Sequence, residues 1–447
     1  MSKQQSTPRM LYLPIELSSR EFLSKLLIGL QAAEAGIPTV LGQMWLLNKN
    51  LPHLDPGFVM FKSVQRLHVQ SMRTAKSHGH GVGVINEEAL AYAEDLQLSI
   101  DVQPDLFGTA NVLFAHGPKH HQALVDRFPM AENQVVVTGN PRTDLLRPEL
   151  AKLHQVEAER IKQKYGSFLL INTNFGNINS IWGGIEKSFQ IWVNVGVLDP
   201  NKDYDVQRFK DICSFENNNK NELMKILSVL DSKLSTHKII IRPHQVEKPE
   251  PWEDLQAKAR NIKVVHEGSA IPWMLASDLV LHTVCTTGME ALLLGAPALS
   301  LKAGVNPWHQ RFVSNFINPT ADTAEQAVTM ILKHLSGEQL LQAGRDQYWE
   351  TMKTYLSATE GTLASEAIAK WLGEWFTARG FTPPTGPVEM PATFIPDMDR
   401  SDVLRKKMST TLDDFNAGVD GFRRAFDRFE NIQGRQIGDS LFLLERG

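Results

Sequence analysis

Short apolar runs alternate with longer amphipathic stretches along the first 150 residues. An apolar run at Met10–Ile15 is followed by an amphipathic stretch from Ser19 to Ala35 and then by IPTVLG at 37–42. That order is the βαβ signature of a parallel sheet. Ser18 or Ser19 is placed to cap the helix, with Glu21 and Phe22 in its first turn and Gly36 closing it. Further short strands are expected at Gly57–Lys62, Gly81–Ile85, Val112–Ala115 and Val135–Thr138, each trailed by a polar or glycine-containing turn and a helical pattern. Residues 1–150 therefore read as one Rossmann-like domain, and the charged helical segment from Pro148 to about Lys164 as the link to a second.

The second half repeats the plan. Strands are expected at Phe168–Asn172, Lys238–Arg242, Lys263–His266, Leu279–His282 and Ala298–Leu301. Helical runs separate them at about Lys220–Ser235, Trp252–Ala259, Trp273–Ala276 and Thr287–Leu294. This spacing predicts a second parallel sheet with crossover helices, within a domain spanning 151–380. Residues 177–219, rich in Asn, Gly, Trp and Asp, lack a clean period and read as a partly helical insertion of the kind that carries acceptor contacts. The stretch FTPPTGPVEMPATFIPDMD then opens a tail, 381–447, with a proline-rich connector before a charge-mixed helical segment at about 400–431, which can either cross back to the first domain or make an oligomer contact.

Composition narrows the function. At 447 residues two domains of roughly 200 residues each are expected. A formal charge of -4 with no Lys/Arg-rich run disfavours nucleic-acid binding. Two cysteines without a CxxC spacing suggest neither a disulfide framework nor a zinc cluster, which suits a cytoplasmic enzyme. No apolar stretch approaches the roughly 18 residues of a span, so any membrane contact, at the inner face, is expected to be peripheral.

Strand ends are where an open α/β sheet meets its ligand. In IIIRPHQVEKPEPW (239–252) an apolar strand stops at Arg242 and His244, a bidentate anion donor and a tunable one, unless both are structural turn residues. After the strand KVVHE, Gly268 and Ser269 form another strand-end turn, with Glu267, the last residue of KVVHE, a further donor-binding candidate. The strand LVLH then runs into TVCTTG (283–288), where Thr286, Thr287 and the free N–H groups of a helix start form an anion pocket, with plain N-capping as the alternative. Glu290 lies one turn on, as a ribose or sugar contact or a solvated carboxylate.

In the first half, Glu87 and Glu88 follow the strand GVGVI. A pair of carboxylates there can include one with a raised pKa, a general base for an acceptor hydroxyl, or can be a solvated helix start. Asn140 and Arg142 of TGNPR (138–142), and Asn172 and Asn174 at the end of the strand FLLIN, are candidate acceptor or cleft residues or simply turn-formers. His78, His80, His116, His120 and His121 lack metal-ligand spacing, and no catalytic metal is expected.

Together RPHQ, EGS and SDLVLH with TTGMEALLLGAP, and in the first half PGFVMFKS, SHGHGVGVINEEAL, VVVTGNPRTDLLRPE and FLLINTNFGNIN, resemble bacterial surface carbohydrate biosynthesis proteins. The motif style is similar to that of Kdo transferases and sialyltransferases, which use an HP motif and a Ser/Thr pair around the phosphate of a CMP-sugar. By this resemblance His244 matches the HP histidine and Thr286/Thr287 the hydroxyl pair, while Gln245 stands where Pro is usual. The resemblance implies a GT-B-like α/β fold, two Rossmann-like parallel-sheet domains facing across a cleft.

It also implies a metal-independent glycosyltransferase without a cofactor beyond its nucleotide-sugar donor, favoured as CMP-linked Kdo or a nonulosonic acid. The acceptor would be a glycan or lipid-linked glycan of capsule or lipopolysaccharide. The rival readings are a CDP-dependent polyol- or glycosyl-phosphate transferase, a sugar-nucleotide epimerase, and a non-catalytic assembly protein.

Overall fold

Among the described residues twelve strands are parallel and fall into two sheets. The first holds β1 (Leu11–Ile15), β2 (Thr39–Gln43), β3 (Phe58–Phe61), β4 (Gly81–Ile85), β5 (Val112–Ala115) and β6 (Val135–Val137). The second holds β7 (Phe168–Asn172), β8 (Lys238–Arg242), β9 (Ile262–Val264), β10 (Leu279–His282), β11 (Ala298–Leu301) and β12 (Thr320–Ala321). The computed structural model describes residues 9–100, 102–266, 268–338 and 344–447. The chain divides into two units: Met1–Glu88 with Val102–Leu153 and Leu356–Gly447, and Ala89–Asp101 with His154–Tyr355.

In the first unit the parallel strands run in the order β2-β1-β3-β4-β5-β6. Alternate residues of β1 feed opposite faces. Leu11, Leu13 and Ile15 pack under the helix Ser18–Glu34, whereas Tyr12 joins Leu46, Leu47 and Met72 on the other side. Burial on both faces is why these strands read as continuous apolar runs. The second sheet runs β12-β11-β10-β7-β8-β9 and is likewise covered twice, by Leu223, Ile226 and Leu230 of the long helix Asp203–Lys233 on one face and by Trp273, Met274 and Ala291 on the other.

The tail helix crosses back to the first unit, one of the two expectations for it, but the strands that follow it depart from expectation. After the helices Asp402–Lys407 and Leu412–Phe426, the chain forms an antiparallel hairpin, β13 (Ile432–Gly438) and β14 (Leu441–Arg446), and β14 pairs antiparallel with β2 from Leu441↔Gly42 to Leu444↔Thr39. Residues 381–447 are thus part of the first unit's sheet and core, with Phe394, Ile395 and Met398 of the proline-rich stretch packed on one face. Residues 356–380, expected in the second domain, also belong to the first unit: the helix Ala364–Thr377 places Ile368 and Leu372 beside Leu26 and Leu30. An amphipathic helix states in its sequence that one face is buried but not which sheet buries it.

Residues 177–219 are partly helical, as their pattern predicts, with the helix Ile185–Asn194 and the first half of Asp203–Lys233. Residues 89–101 leave the first unit for the second, where Glu94 pairs with Arg311 at 3.0 Å and Ala93 N–H donates to the Arg311 carbonyl at 2.8 Å. Among the described residues no helix is long and apolar enough to cross a membrane.

Leu444 is fully buried in the core beneath the first helix. Leu444→Ala should cost about 2–5 kcal/mol by the cavity it leaves, read by urea unfolding; an unchanged midpoint would mean the hairpin is not integral to that core.

Candidate functional site

At the carboxyl ends of the second sheet, four polar residues stand in register on adjacent strands: Arg242 (β8), Asn172 (β7), His282 (β10) and Ser300 (β11). Strand alternation puts them on the face of Ile240, Leu170, Val280 and Ala298, the face covered by the helix Thr287–Leu294. The Arg242 guanidinium lies 5.2 Å from the Trp273 ring centre and donates from Nη2 to the Gly268 carbonyl at 2.8 Å. Asn172 Nδ2 donates to Thr287 Oγ1 at 3.2 Å, and Ser300 Oγ to Asn315 Oδ1 at 2.6 Å.

His282 is wholly buried with neither ring nitrogen hydrogen-bonded, and burial holds its pKa down at about 3, so the ring is neutral. Gly288 lies directly over it. A Cβ there would stand 2.7 Å from His282 Nε2, Asn318 Nδ2 and Ser314 Cβ. The first turn of the helix rests on the imidazole because no side chain intervenes. Gly288→Ala should therefore lift the helix start and destabilise the protein by about 1–3 kcal/mol, visible as a lowered thermal midpoint; wild-type stability would show that the contact yields freely.

The loop between β10 and this helix is strained and braced. Val284 is buried with a φ of 68°, in the left-handed region that β-branched residues avoid. Such a residue costs about 1–3 kcal/mol and persists only where its surroundings over-determine it. Asn174 provides that: its N–H donates to Thr283 Oγ1 at 3.0 Å and its Nδ2 to the Val284 carbonyl at 3.1 Å. Asn172 and Asn174 are thus struts of the threonine loop. Thr286 occupies the N-cap position, yet its hydroxyl makes no cap bond and donates to Glu290 Oε1 at 3.2 Å.

The Arg-Pro-His corner is organised by Glu247, a residue that motif reasoning passed over. Its buried carboxylate accepts from His244 N–H at 3.1 Å, Thr173 Oγ1 at 2.6 Å, Phe175 N–H at 3.1 Å and Trp252 Nε1 at 3.1 Å. His244 itself is exposed. The segment leaving β7 thereby touches both corners, Asn172 and Asn174 reaching the threonine loop while Thr173 and Phe175 reach Glu247. A second buried carboxylate, Glu216, accepts from Asn177 N–H and Ile178 N–H, both at 3.0 Å, and burial pushes its pKa up to about 8. For Glu247 the available signal was a carboxylate beside a strand-end loop whose N–H groups need acceptors, whereas Glu216 lies within the helix Asp203–Lys233, remote in sequence from the loop it serves. Ser269 Oγ accepts from Ile271 N–H at 3.3 Å, starting the helix Ile271–Ala276, and Glu267 lies outside the described residues.

In the first unit the expectation for Glu87 is corrected. Burial alone would raise its pKa, but Arg142, Arg20, Lys25 and His116 outweigh it and hold the carboxyl down at about 2. Arg142 Nη1 lies 3.2 Å from Glu87 Oε2, and Asn140 Nδ2 donates to the same oxygen at 3.4 Å. A carboxylate so low and so enclosed is a structural ion-pair partner and a poor base at neutral pH. Glu88 is about half exposed, 3.7 Å from Arg20.

Asn140 is fully buried, accepting from Arg142 N–H at 2.9 Å, so it sits inside the wall of the sheet edge and not on its surface. The rest of its motif anchors the chain returning at 357–365. Asp144 accepts from Ala364 N–H at 2.9 Å and Ser365 N–H at 2.8 Å, and Gly139, at a φ of 88°, has no room for a Cβ beside the Ser357 carbonyl. Of the histidines, His80 accepts from Gly57 N–H at 3.2 Å, and His116 donates from Nε2 to the Asn86 carbonyl at 2.7 Å.

Because the Glu87 pKa is depressed from an ordinary 4.5, its contribution to stability is present above that value and is lost as pH falls towards about 2. Glu87→Gln should remove this acid limb and, by leaving Arg142 buried without its carboxylate, cost about 3–5 kcal/mol in urea unfolding at pH 7. An unaltered acid profile would contradict the pairing.

No protein-family model matches the chain, and no curated protein matches it. Solved structures do. The UDP-GlcNAc 2-epimerase of Methanocaldococcus jannaschii, in complex with UDP-GlcNAc and UDP, superposes with a TM-score of 0.51 at 12% identity, over 82% of this chain and 99% of that one. The fold is α/β of the GT-B type. The Neisseria meningitidis UDP-GlcNAc 2-epimerase bound to UDP-GlcNAc gives 0.47 at 16% identity, over 80% and 83% of the two chains. The wall teichoic acid polymerase TagF gives 0.48 at 11%, over 85% and 92%.

Proposed function

We propose that this GT-B-type chain is a glycosyltransferase of bacterial surface polysaccharide synthesis that takes its sugar from a nucleotide-activated donor. The observation that carries the reading is the end of β7, which braces the Arg-Pro-His corner through Thr173 and Glu247 and the threonine loop through Asn172 and Asn174. Both corners stand at carboxyl ends of a parallel sheet, the edge where open α/β sheets take ligands. Epimerase neighbours of the same fold hold UDP-GlcNAc, which supports a nucleotide-sugar as the ligand.

In the reaction an acceptor hydroxyl attacks the anomeric carbon, the bond from that carbon to the phosphate oxygen breaks, and the nucleotide leaves with the electron pair. Arg242, His244, Ser269, Thr286 and Thr287 are assigned to the negative charge that builds on the departing phosphate, with Glu290 on a sugar or ribose hydroxyl. With Glu87 locked to Arg142, the base that accepts the hydroxyl proton is assigned to Glu88. The motif style favours CMP-linked Kdo or a nonulosonic acid as donor and a glycan or lipid-linked glycan as acceptor.

The locked Glu87 also favours a second reading, epimerisation of the nucleotide-sugar, which needs no base for an acceptor hydroxyl. A thermal-shift panel of CMP-, CDP- and UDP-sugars separates these readings from a non-catalytic one. At a hundred times Kd a true donor adds about 2.7 kcal/mol to stability, and His244→Ala should abolish the shift. Glu88→Gln should keep the shift and lose transfer to a glycan. Isomerised sugar formed without acceptor would favour the epimerase, phosphate retained in the product would indicate a CDP-dependent phosphate transferase, and silence across the panel would overturn the proposal.

A further inference from the structure

Beside the Arg-Pro-His corner lies an apolar surface with no part in the core. Ile181, Trp182 and Ile185 are exposed, Trp182 to 50%. They are not a poorly packed remnant. The helix that follows them, Ile185–Asn194, already sends Phe189 and Trp192 inward, each edge-on to Phe209, with ring centres 5.1 and 5.5 Å apart. The same segment therefore fills its core and still presents a tryptophan outward.

That tryptophan is held in place. Ser180 bridges antiparallel to Glu247, Ile181 N–H donates to the Val246 carbonyl at 2.9 Å, and Gly183 N–H closes a turn onto the Ser180 carbonyl at 3.2 Å, with Trp182 inside the turn. Lys248 N–H donates to the Asn179 carbonyl at 2.8 Å, and Asn179 Nδ2 returns a bond to the Lys248 carbonyl at 3.1 Å. The main chain at Trp182 is thus tied beside the loop 244–247, which carries His244. A flat apolar platform fixed next to an anion-suited corner fits a ligand that is itself flat at one end and anionic at the other.

We propose that Trp182, flanked by Ile181 and Ile185, is the surface on which the base of the nucleotide stacks. The inference rests on the donor site proposed above and adds the residue that holds the base. Stacking suits any base, because each has a π-face, and a rigid two-torsion side chain loses little freedom in making it. An anionic membrane is the weaker occupant: Glu186, Asp199 and Asp203 in this insertion outnumber Lys187 and Lys202, so there is no basic excess to draw an anionic surface.

The test is calorimetric titration of wild type, Trp182→Ala and Trp182→Phe with UDP, CDP, CMP and, as a base-free control, inorganic pyrophosphate. Trp182→Ala should weaken the nucleotide that wild type binds about tenfold or more, Trp182→Phe should restore most of the loss, and pyrophosphate should bind all three alike. Equal loss of pyrophosphate would mean that the corner has collapsed, and nucleotide affinity unchanged in Trp182→Ala would remove the platform while leaving the donor site standing. Wild type that binds none of the ligands would remove both. Reduced co-sedimentation of Trp182→Ala with phosphatidylglycerol vesicles at unchanged nucleotide affinity would assign the patch to a membrane instead.

Discussion

A buried carboxylate with four donors converging on it controls the geometry of the second unit. Glu247 takes main-chain N–H groups from His244 and Phe175, the Thr173 hydroxyl and the Trp252 indole. These donors come from the ends of two neighbouring strands and the helix between β8 and β9. Each is a group whose burial without an acceptor would cost about 1–3 kcal/mol. One side chain therefore decides where the chain leaving β7 lies against the chain leaving β8.

The same logic extends outward. Once the segment 172–175 is fixed, Asn172 and Asn174 are in place to brace the threonine loop, and the left-handed Val284 becomes tolerable because its carbonyl and its neighbour's hydroxyl are held from outside the loop. Glu216 continues the pattern at Asn177 and Ile178, and beyond it the turn carrying Trp182 is tied back to residues 246–248. Preorganisation of this kind is what a charge-stabilising site needs, since donors that are already oriented do not have to reorganise when charge develops.

In the first unit a buried charge serves a different end. Glu87 is ion-paired to Arg142 and lies within the influence of Arg20 and Lys25, so its role is to join the edges of β4 and β6. The TGNPR motif is occupied in two directions, inward through Asn140 and Arg142 to Glu87, and outward through Gly139 and Asp144 to the returning chain at 357–365. A motif of turn residues and charges at a strand end looks like a ligand site in sequence whether its partner is a substrate or another part of the protein.

Most of the architecture was legible from periodicity. The strands Gly81–Ile85, Val112–Ala115, Lys238–Arg242, Leu279–His282 and Ala298–Leu301 and the helix Thr287–Leu294 lie where the apolar pattern puts them, because a strand buried on both faces must be apolar throughout and must stop where polar residues begin. The strand-end positions of Arg242 and Asn172 follow from the same rule, and Thr287 opens the helix after β10. Tertiary structure alone decided that residues 356–380 belong to the first unit and that the closing hairpin completes its sheet, that Glu87 is locked and not poised, and that Glu247 and His282 lie at the centre of the second unit's polar edge. Those facts depend on which distant groups meet, and a residue's character along the chain records its burial and its period but not the partner that satisfies its charge or hydrogen bonds.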